Sequence, residues 1–517
     1  MKKSKILAIN TILVIIIILV FNFINSYSVK KQPPSQRWSK EVAVGNGIAN
    51  DRPRIIVEDN RILIAYETSD SIVITSTELD GKVIDTKEYK INSDFYKDMM
   101  FVKDNNNQYY ILYRYESMVK GKLQVICIDN TLNEVDRKEL EGIVATAQID
   151  SSNILISNNE GIQYINTEKE SQVKIPAESV TMVTGTKNDS KVIIGYMENK
   201  NAIKMVEVSE STPSEIMNVA TIGGTDKLTY DNLVSSCDKN NVCFIYDEYV
   251  KGDFNGCKYS NVDLANKEIT DGMLSFEGNS LITDTIGISG DKSRFYGTIE
   301  RNLGSKKTQK DIMEFSLENG KAVDTSMVSR LPELCIYPYK EGEYIVYLSY
   351  SNKGYNVNLA STKDEFKEIN NGFKKSDLKG AANVTLENLM MSLAYIFVVG
   401  IQWIFPVAVI AGIVSFLDYK FNDKKRKIAF LLISVFTIAL QILVILNFAY
   451  AGMMFASGLV SSRIFAYLGC IIVGAIIYGT AYHDFKDDLE GIFIGKFSIA
   501  MLLNSVAVCC LYVPLMM

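Results

Sequence analysis

The stretch Asp59-Asn-Arg-Ile-Leu-Ile-Ala-Tyr-Glu67 joins a short polar turn to an apolar run rich in β-formers. Asn and Asp tolerate the backbone of tight hairpin turns, and β-branched and aromatic residues are typical of strands. The same arrangement recurs along the chain, which indicates an internal repeat. Seven turns, spaced by 45, 47, 38, 49, 53 and 50 residues, are marked by Asp59, Asp104, Ser151, Asp189, Asp238, Asp291 and Glu341.

Each repeat has room for four strands. In the first repeat, the run 62–66 is followed by a second β-rich run at 71–74, and Asp80-Gly81 introduces a third at 82–84. Four strands at this interval are the period of a β-propeller blade. The segment 38–372 therefore resembles the seven-bladed β-propeller superfamily. The resemblance is architectural and implies no activity, because the chain has neither a Gly-His…Trp-Asp pair of WD40 blades nor a sialidase-type Asp-box.

Two other all-β folds compete with the propeller, namely a pair of β-sandwiches and a β-solenoid. The regular spacing of the turns favours the propeller. A closed propeller also brings its first and last strands together, which leaves only short, protected edges. We therefore expect residues 40–44 to pair beside the last blade, and Trp38 to lie close to Gly372.

Charge is distributed unevenly over the 517 residues, whose net charge is −6. Residues 31–387 hold 42 basic and 54 acidic residues, a net charge of −12. An acidic domain disfavours nucleic-acid binding, which needs a basic surface. The only histidine is His483, so residues 31–387 cannot form Ser-His-Asp, Cys-His or His-ligated zinc sites. We predict no metal and no cofactor.

Five apolar segments are long enough to cross a bilayer. The first follows Lys2, Lys3 and Lys5 and is interpreted as an uncleaved signal anchor, with a cleaved signal peptide as the alternative. The predicted transmembrane helices are 6–27, 389–417, 428–450, 461–482 and 497–516. The remaining predicted parts are the cytoplasmic N-terminus 1–5, the propeller 38–372, the cytoplasmic basic loop 418–427 and the cytoplasmic loop 483–496.

The orientation follows from the positive-inside rule. The loop 418–427 contains five basic residues, and the three lysines of the N-terminus precede the first helix. Both segments are therefore assigned to the cytoplasm. One outward crossing then places residues 31–387 outside the plasma membrane, which makes the chain a multi-pass membrane protein with an all-β extracytoplasmic domain.

Candidate ligand-binding residues lie where second strands of the repeats end. If first strands are innermost, these ends share one face, where carboxylates and phenols could bind cations, basic peptides or sugars. The alternative is that they are repeated, solvated turn residues. The candidates are Tyr66, Glu67, Tyr115, Glu116, Tyr196, Glu198, Tyr246, Asp247, Glu248 and Glu300.

Five cysteines fall in the predicted external domain, and Cys237 and Cys243 flank a hairpin turn. They form a possible disulfide, or else are small buried strand residues. No C-x-x-C motif is present.

Three functions fit these features. The first is a membrane-anchored binding or scaffold protein whose propeller engages a protein partner or an envelope polymer. The second is an accessory subunit of a transport, secretion or envelope-assembly complex, because four C-terminal helices exceed what tethering needs. The third is a glycan hydrolase or lyase that uses two carboxylates.

Overall fold

A computed structural model of the chain describes residues 2–91, 96–116, 121–188, 191–209, 212–222, 228–276, 281–290, 292–302, 308–329, 334–351, 354–448, 463–487 and 493–516. Two compact units are present. The β unit consists of Pro33–Asn302 and Thr308–Gly372, and the helical unit contains Met1–Gln32 and Phe373–Met517.

The β unit is a seven-bladed propeller built from antiparallel sheets. Blades 1 and 2 consist of β2 (Arg54–Val57), β3 (Ile62–Glu67), β4 (Ser71–Thr77), β5 (Val83–Lys90), β6 (Tyr96–Lys103), β7 (Tyr109–Glu116), β8 (Gly121–Ile128) and β9 (Glu134–Glu141). Blades 3 and 4 consist of β10 (Ile143–Gln148), β11 (Asn153–Asn158), β12 (Gly161–Asn166), β13 (Ser171–Ile175), β14 (Val180–Asn188), β15 (Lys191–Glu198), β16 (Ala202–Ser209), β17 (Thr212–Pro213) and β18 (Met217–Thr221).

The other three blades complete the ring. Blades 5 and 6 consist of β19 (Leu228–Cys237), β20 (Asn241–Val250), β21 (Asp253–Asp263), β22 (Ile269–Met273), β23 (Leu281–Ile288), β24 (Arg294–Asn302), β25 (Thr308–Glu318) and β26 (Lys321–Met327). Blade 7 consists of β27 (Cys335–Glu341), β28 (Tyr344–Ser351), β29 (Gly354–Ser361) and β1 (Val42–Gly47).

Burial explains why the second strands of the blades are continuous apolar runs in the sequence. The first strand of each blade is innermost and contacts the first strands of neighbouring blades. Each blade is covered on both faces by its neighbours, so β3 is buried at all six positions. The outermost strand of the same blade, β5, is mostly exposed and polar. The apolar cores therefore lie between blades.

The ring closes through the N-terminal strand, as the sequence predicts. β1 pairs with β29, and Val42 lies opposite Leu359. The amide of Ser39 donates a 2.9 Å hydrogen bond to the carbonyl of Ser361. Lys40 Nζ lies 3.1 Å from the carbonyl oxygen of Gly372, which confirms that the two ends of the domain are adjacent. The sandwich and solenoid alternatives are thereby excluded.

The turns that marked the repeat join first and second strands. In blades 2 and 5 an aspartate caps its own turn: Asp104 Oδ1 accepts hydrogen bonds from the amides of Asn106 and Gln108, and Asp238 Oδ1 accepts from that of Asn240. Such local bonds satisfy backbone groups that the strands leave unpaired. Asp189 and Asp291 lie outside the described residues.

The described helices are α1 (Lys2–Lys31), α2 (Asp364–Asn370), α3 (Lys375–Tyr395), α4 (Ile401–Leu417), α5 (Asp423–Phe448), α6 (Arg463–Asp487) and α7 (Phe493–Met516). One π-helical turn, Ile396–Gly400, joins α3 to α4. Within the described ranges, five candidate spans are long and apolar enough to cross a membrane. They are Leu7–Ser28, Asp377–Lys420, Asp423–Ile445, Tyr467–Lys486 and Phe493–Tyr512. Residues 449–462, where the predicted helix 428–450 ends and the predicted helix 461–482 begins, are outside the described residues.

Polar side chains inside the helical unit join helices to one another. Asn504 Nδ2 donates a 2.9 Å hydrogen bond to Gln441 Oε1, and both residues are buried. Trp403 Nε1 donates a 2.9 Å bond to Ser505 Oγ. Neutral amides at such positions typically stabilise helix association.

The amide pair gives a first prediction. Asn504→Leu should destabilise the helical unit by about 1 kcal/mol, because Gln441 loses its partner in an apolar environment. The double variant Q441L/N504L should lose less than the sum of the two single variants, since no amide then stays unpaired. Unfolding of the full chain in detergent micelles measures these costs. Gln402→Leu, at an exposed position of α4, is the control. If the double variant lost as much stability as the two single variants together, the coupling between Gln441 and Asn504 would be contradicted.

Candidate functional site

The second-strand residues proposed from the sequence are mainly buried. Tyr66, Tyr196 and Tyr246 belong to three separate apolar clusters between blades. Tyr115 donates a hydrogen bond to Glu139, and Glu198 pairs with Lys204. Hence the phenols do not form an exposed ring, because each is used in packing or in a contact within its own blade. The ligand-binding role of these residues stays a prediction.

The acidic members of the set have different surroundings. Glu67 is 5% exposed and accepts a 3.1 Å hydrogen bond from Asn50. Glu248 Oε2 lies 2.6 Å from Lys258 Nζ. Glu300 is half-buried on β24, opposite Leu281 and Lys310. The side chain of Glu116 is outside the described residues.

Asp247 connects the predicted set to a cluster on the propeller axis. Its Oδ2 atom lies 3.3 Å from Asn232 Nδ2, and its Oδ1 atom accepts a 3.0 Å bond from Cys257 Sγ. Asn232 in turn accepts a 3.1 Å hydrogen bond from Arg52 Nη2. We use the name axial cluster for Asp51, Arg52, Asn232, Asp247 and Asp284.

Arg52 crosses the centre of the ring. It belongs to the segment that enters blade 1, yet its Nη2 reaches Asn232 in blade 5 and its Nη1 reaches the carbonyl oxygen of Thr285 in blade 6, at 3.0 Å. Only a side chain on the axis can contact blades that are not neighbours of its own. The guanidinium therefore ties three blades together where their inner strands converge.

The strands around Arg52 hold an unusual backbone. Asn232, Asp284 and Tyr337 have φ values of 53°, 52° and 56°. Asn and Asp tolerate this left-handed conformation, whereas it costs energy for a bulky residue such as Tyr337. Each lies at a register shift in the inner strand of blade 5, 6 or 7. A β-bulge of this kind redirects a side chain. The same bulge at the same level of three consecutive blades indicates an axis built for contacts rather than for regular pairing.

Asp51 positions the segment that carries Arg52. Its Oδ2 atom accepts a 2.6 Å hydrogen bond from the amide of Met99, and it lies 3.6 Å from Arg54 Nη2. The guanidinium of Arg54 also lies 4.8 Å from the ring centroid of Tyr339. These contacts hold Arg52 rigidly before the first inner strand.

Burial dominates the electrostatics of the axis. It raises the pKa of Asp51 and raises that of Asp247 to about 6, although the hydrogen bonds from Cys257 and Asn232 oppose the second shift. Among the described residues, none of Asp51, Asp247 and Asp284 forms an ion pair with Arg52 within 4.0 Å. The guanidinium of Arg52 donates to neutral oxygens, and Arg54 pairs with Asp51. When ionised, the three carboxylates therefore exceed these two cations by one negative charge.

Glu67 gives a prediction for pH. Burial raises the pKa of Glu67 from 4.5 to about 7. Between those values the folded chain binds the proton more tightly than the unfolded chain, so stability should fall as the pH rises from 5 to 8. In Glu67→Gln, the free energy of unfolding should therefore fall by about 2 kcal/mol less over this pH range than in the unmodified chain. Thermal unfolding of the β unit at several pH values measures it.

A matched control for this variant is Glu168→Gln, which removes an exposed carboxylate from the same unit. It should keep the slope of the unmodified chain. An unchanged slope in Glu67→Gln would contradict the prediction.

The possible Cys237–Cys243 disulfide is not formed. In the pairing of β19 with β20, Cys237 lies opposite Val242 and Cys243 lies opposite Ser236. The two side chains pack into different apolar clusters on either side of the sheet. The strand register therefore keeps the two cysteines apart, because residues that flank a turn need not face each other. No group of three or more His, Cys, Asp or Glu residues arranged to hold a metal occurs within the described ranges.

Arg52, Asn232 and Asp284 were missed by the sequence analysis. A signal was present, because Asn232, Asp284 and Tyr337 are separated by 52 and 53 residues, close to the spacing of the turn markers. Polar residues at the same position of successive inner strands are the pattern that would have located the axis.

Several solved structures resemble the chain at low identity. A prolyl endopeptidase is 11% identical, with 65% of this chain and 48% of that chain covered and a TM-score of 0.40. An α-L-arabinanase of Penicillium chrysogenum is 12% identical, with 63% of this chain and 99% of that chain covered and a TM-score of 0.34. The WD40 domain of Toxoplasma gondii coronin is 10% identical, with 61% of this chain and 79% of that chain covered and a TM-score of 0.29. The chain thus spans about half the length of the endopeptidase.

These similarities concern the fold alone. No protein-family profile and no curated protein matches the chain. The seven-bladed architecture follows from the strand order, and no activity is transferred from the proteins above.

Proposed function

We propose that this chain is a membrane-anchored, extracytoplasmic binding or scaffold protein, and that its propeller engages a protein or cell-envelope ligand at the axial cluster. The observation that carries the proposal is the contact of Arg52 with two distant blades among three left-handed residues. Strained backbone persists where the surroundings impose it, and it concentrates at functional sites. A rigid ring with loops at its ends offers a stable platform for such a site.

The chemistry of the axis favours a ligand with a cationic group. Asp284 has one described hydrogen bond, 3.3 Å from Thr283 Oγ1, so its carboxylate keeps capacity for further donors. An ammonium or guanidinium group would add charge-assisted hydrogen bonds to Asp284 and Asp247. The net charge of −12 over residues 31–387 would attract such a group from a distance.

Membrane anchoring and external placement of the propeller rest on sequence and helix length. Five described helices are long and apolar enough to cross a bilayer. Residues 418–427, from the end of α4 to the first turn of α5, carry five basic residues, which supports their assignment to the cytoplasm. Protease added to intact cells should therefore digest the propeller and spare that segment.

The test is crosslinking in cells that express the intact protein, followed by affinity purification and mass spectrometry. The comparison set contains a chain that lacks residues 31–387 and the variant Asp284→Asn. Asparagine tolerates the left-handed backbone of position 284, so this substitution removes charge without adding strain. Asp85→Asn, on the exposed strand β5, is the matched control.

We expect the intact chain and Asp85→Asn to capture the same partner in equal amounts. Asp284→Asn should capture at least about fivefold less of it, and the chain without residues 31–387 should capture none. Full retention of that partner by the deletion variant would overturn the proposal and favour an accessory subunit of a membrane complex. Equal capture by Asp284→Asn would remove the axial cluster as the binding site.

A further inference from the structure

One cavity in the propeller has the opposite charge to the axial cluster. It has a volume of about 350 Å³ and is lined by Arg37, Lys292, Arg294, Tyr296 and Lys340, among others. The cations come from three separate parts of the chain: the segment before β1, the start of β24 in blade 6 and the end of β27 in blade 7. We use the name basic cleft for this cavity.

One fully buried carboxylate, Glu314, lies behind three residues that line the basic cleft and contacts each of them. Glu314 Oε1 lies 2.9 Å from Arg37 Nη2 and 3.1 Å from Arg294 Nη1. The same atom accepts a 2.8 Å hydrogen bond from Tyr296, and Oε2 accepts a 2.9 Å bond from the indole of Trp38. Glu314 is therefore saturated with donors, and it neutralises only one of the cations that surround it.

The two guanidinium groups keep unused donors. Among the described residues, the guanidinium of Arg37 has one ion pair and that of Arg294 has one hydrogen bond, both with Glu314, although a guanidinium carries five N–H donors. Arg37 is 42% exposed and Arg294 is 22% exposed, so their outer nitrogens are accessible from the cavity. Lys292 is paired with Asp324 at 3.1 Å and contributes less net charge.

Lys340 adds a third cation in the same space. Its ammonium group lies 5.6 Å from the ring centroid of Tyr296 and donates a hydrogen bond to the carbonyl of Gly342. The pKa of Lys340 is lowered to about 8, chiefly by burial and also by the charges of Arg37 and Arg294, while Glu314 opposes the shift. Arg37, Arg294 and Lys340 against Glu314 leave a surplus of two positive charges, because Lys292 pairs with Asp324 and Glu343 pairs with Lys363 at 3.9 Å. This surplus lies in a domain whose net charge is negative.

We propose that the basic cleft binds an oxyanion carried by a sugar-sized molecule or polymer unit, such as a carboxylated or sulfated sugar. The guanidinium groups of Arg37 and Arg294 and the ammonium group of Lys340 bind the oxyanion. Tyr296 and the cavity volume accommodate the attached ring, because ligand pockets of about 300 Å³ and above enclose small organic molecules. The proposal does not depend on the axial cluster, which lies at a different level of the inner strands.

The experiment is calorimetric titration of the full chain in detergent with three probes: glucuronate, inorganic sulfate and glucose. Glucuronate should bind, and Arg37→Gln and Lys340→Met should each weaken its affinity about tenfold. Lys340→Arg should stay within about threefold of the unmodified chain. Lys90→Met, which removes an exposed lysine paired with Asp70 in blade 1, is the matched control and should change nothing.

The pH dependence separates a charge role of Lys340 from a packing role. The charged groups facing its ammonium are Arg37, Arg294, Glu314 and Glu343. Both anionic probes keep constant charge between pH 7 and pH 9. Over that range the affinity of the unmodified chain for glucuronate should fall about tenfold as Lys340 loses its proton. Lys340→Arg should show at most about a threefold change.

The probes also identify the source of the oxyanion. Tighter binding of glucuronate than of sulfate supports an oxyanion carried by a sugar. Equal binding of the two would overturn the sugar part of the proposal and show that the cleft binds a small free anion. Absence of binding by either anion up to about 10 mM overturns the proposal, as does equal binding of glucose and glucuronate. The emission of Trp38, in a Trp403→Phe background that leaves it the single tryptophan, shows whether each variant keeps its fold.

Discussion

Val44→Asp should open the propeller ring and cause the largest loss of stability among single substitutions in the β unit. Val44 is buried in β1, within an apolar cluster that includes Ile55, Tyr66 and Leu359. An aspartate there has no cation to pair with among the residues of the cluster, so we expect a cost of about 3–4 kcal/mol. The cost falls on the pairing of β1 with β29, which is the closure of the ring.

Hydrogen exchange of the full chain measures this opening. Amides of β1 and β29 should exchange at least about 100-fold faster in Val44→Asp, while amides of blade 4 change less. Ala43→Asp is the matched control, because Ala43 is the neighbouring residue of the same strand and is exposed. Equal protection of β29 in the two variants would show that β1 does not hold the ring closed.

Glu314→Gln should be the second most damaging change. The amide keeps the shape of the side chain and loses the single negative charge that contacts both Arg37 and Arg294. Removal of one partner from a buried ion pair leaves an uncompensated charge, which typically costs 3–5 kcal/mol. Because both guanidinium groups are partly exposed, we expect a cost of about 2–3 kcal/mol. The emission of Trp38, whose indole donates to Glu314, reports the local change.

Glu207 offers a matched control for this prediction. It also lies between two cations, with Oε2 3.1 Å from Lys191 Nζ and with Lys267 on the other oxygen, but both lysines are about half exposed. Glu207→Gln should cost at most about 1 kcal/mol. Similar costs for the two variants would contradict the importance we assign to the burial of Glu314.

The blade repeat could be predicted because its determinants are local. Asp104 and Asp238 cap their own turns, and the apolar strands that follow are visible in a single window of sequence. Ring closure could be predicted from the edge problem of an open sheet. The start of α3 was not predicted. The helix begins at Lys375, well before the apolar segment at 389, and its first turns are polar, so hydropathy does not reveal them.

The axial cluster could not be predicted in the same way. The left-handed backbone of Asp284 depends on its partner strand and on the blades beside it, which no local pattern encodes. Arg52 contacts blades that are remote in sequence. Tyr66 and Tyr196 resembled surface residues at strand ends, but a blade covered on both faces has no solvent side at its second strand.

Closure by the N-terminal strand also sets the kinetics of biosynthesis. Ser39 and Ser361, which bond to each other beside β1 and β29, are 322 residues apart in the chain. At a translation rate of about 5–20 residues per second, β1 waits roughly 15–60 s for its partner. During that interval β1 has no partner strand, and its unpaired edge can join other chains. The nascent domain therefore depends on protection until its last blade emerges, and slower translation would lengthen its exposure to misassembly.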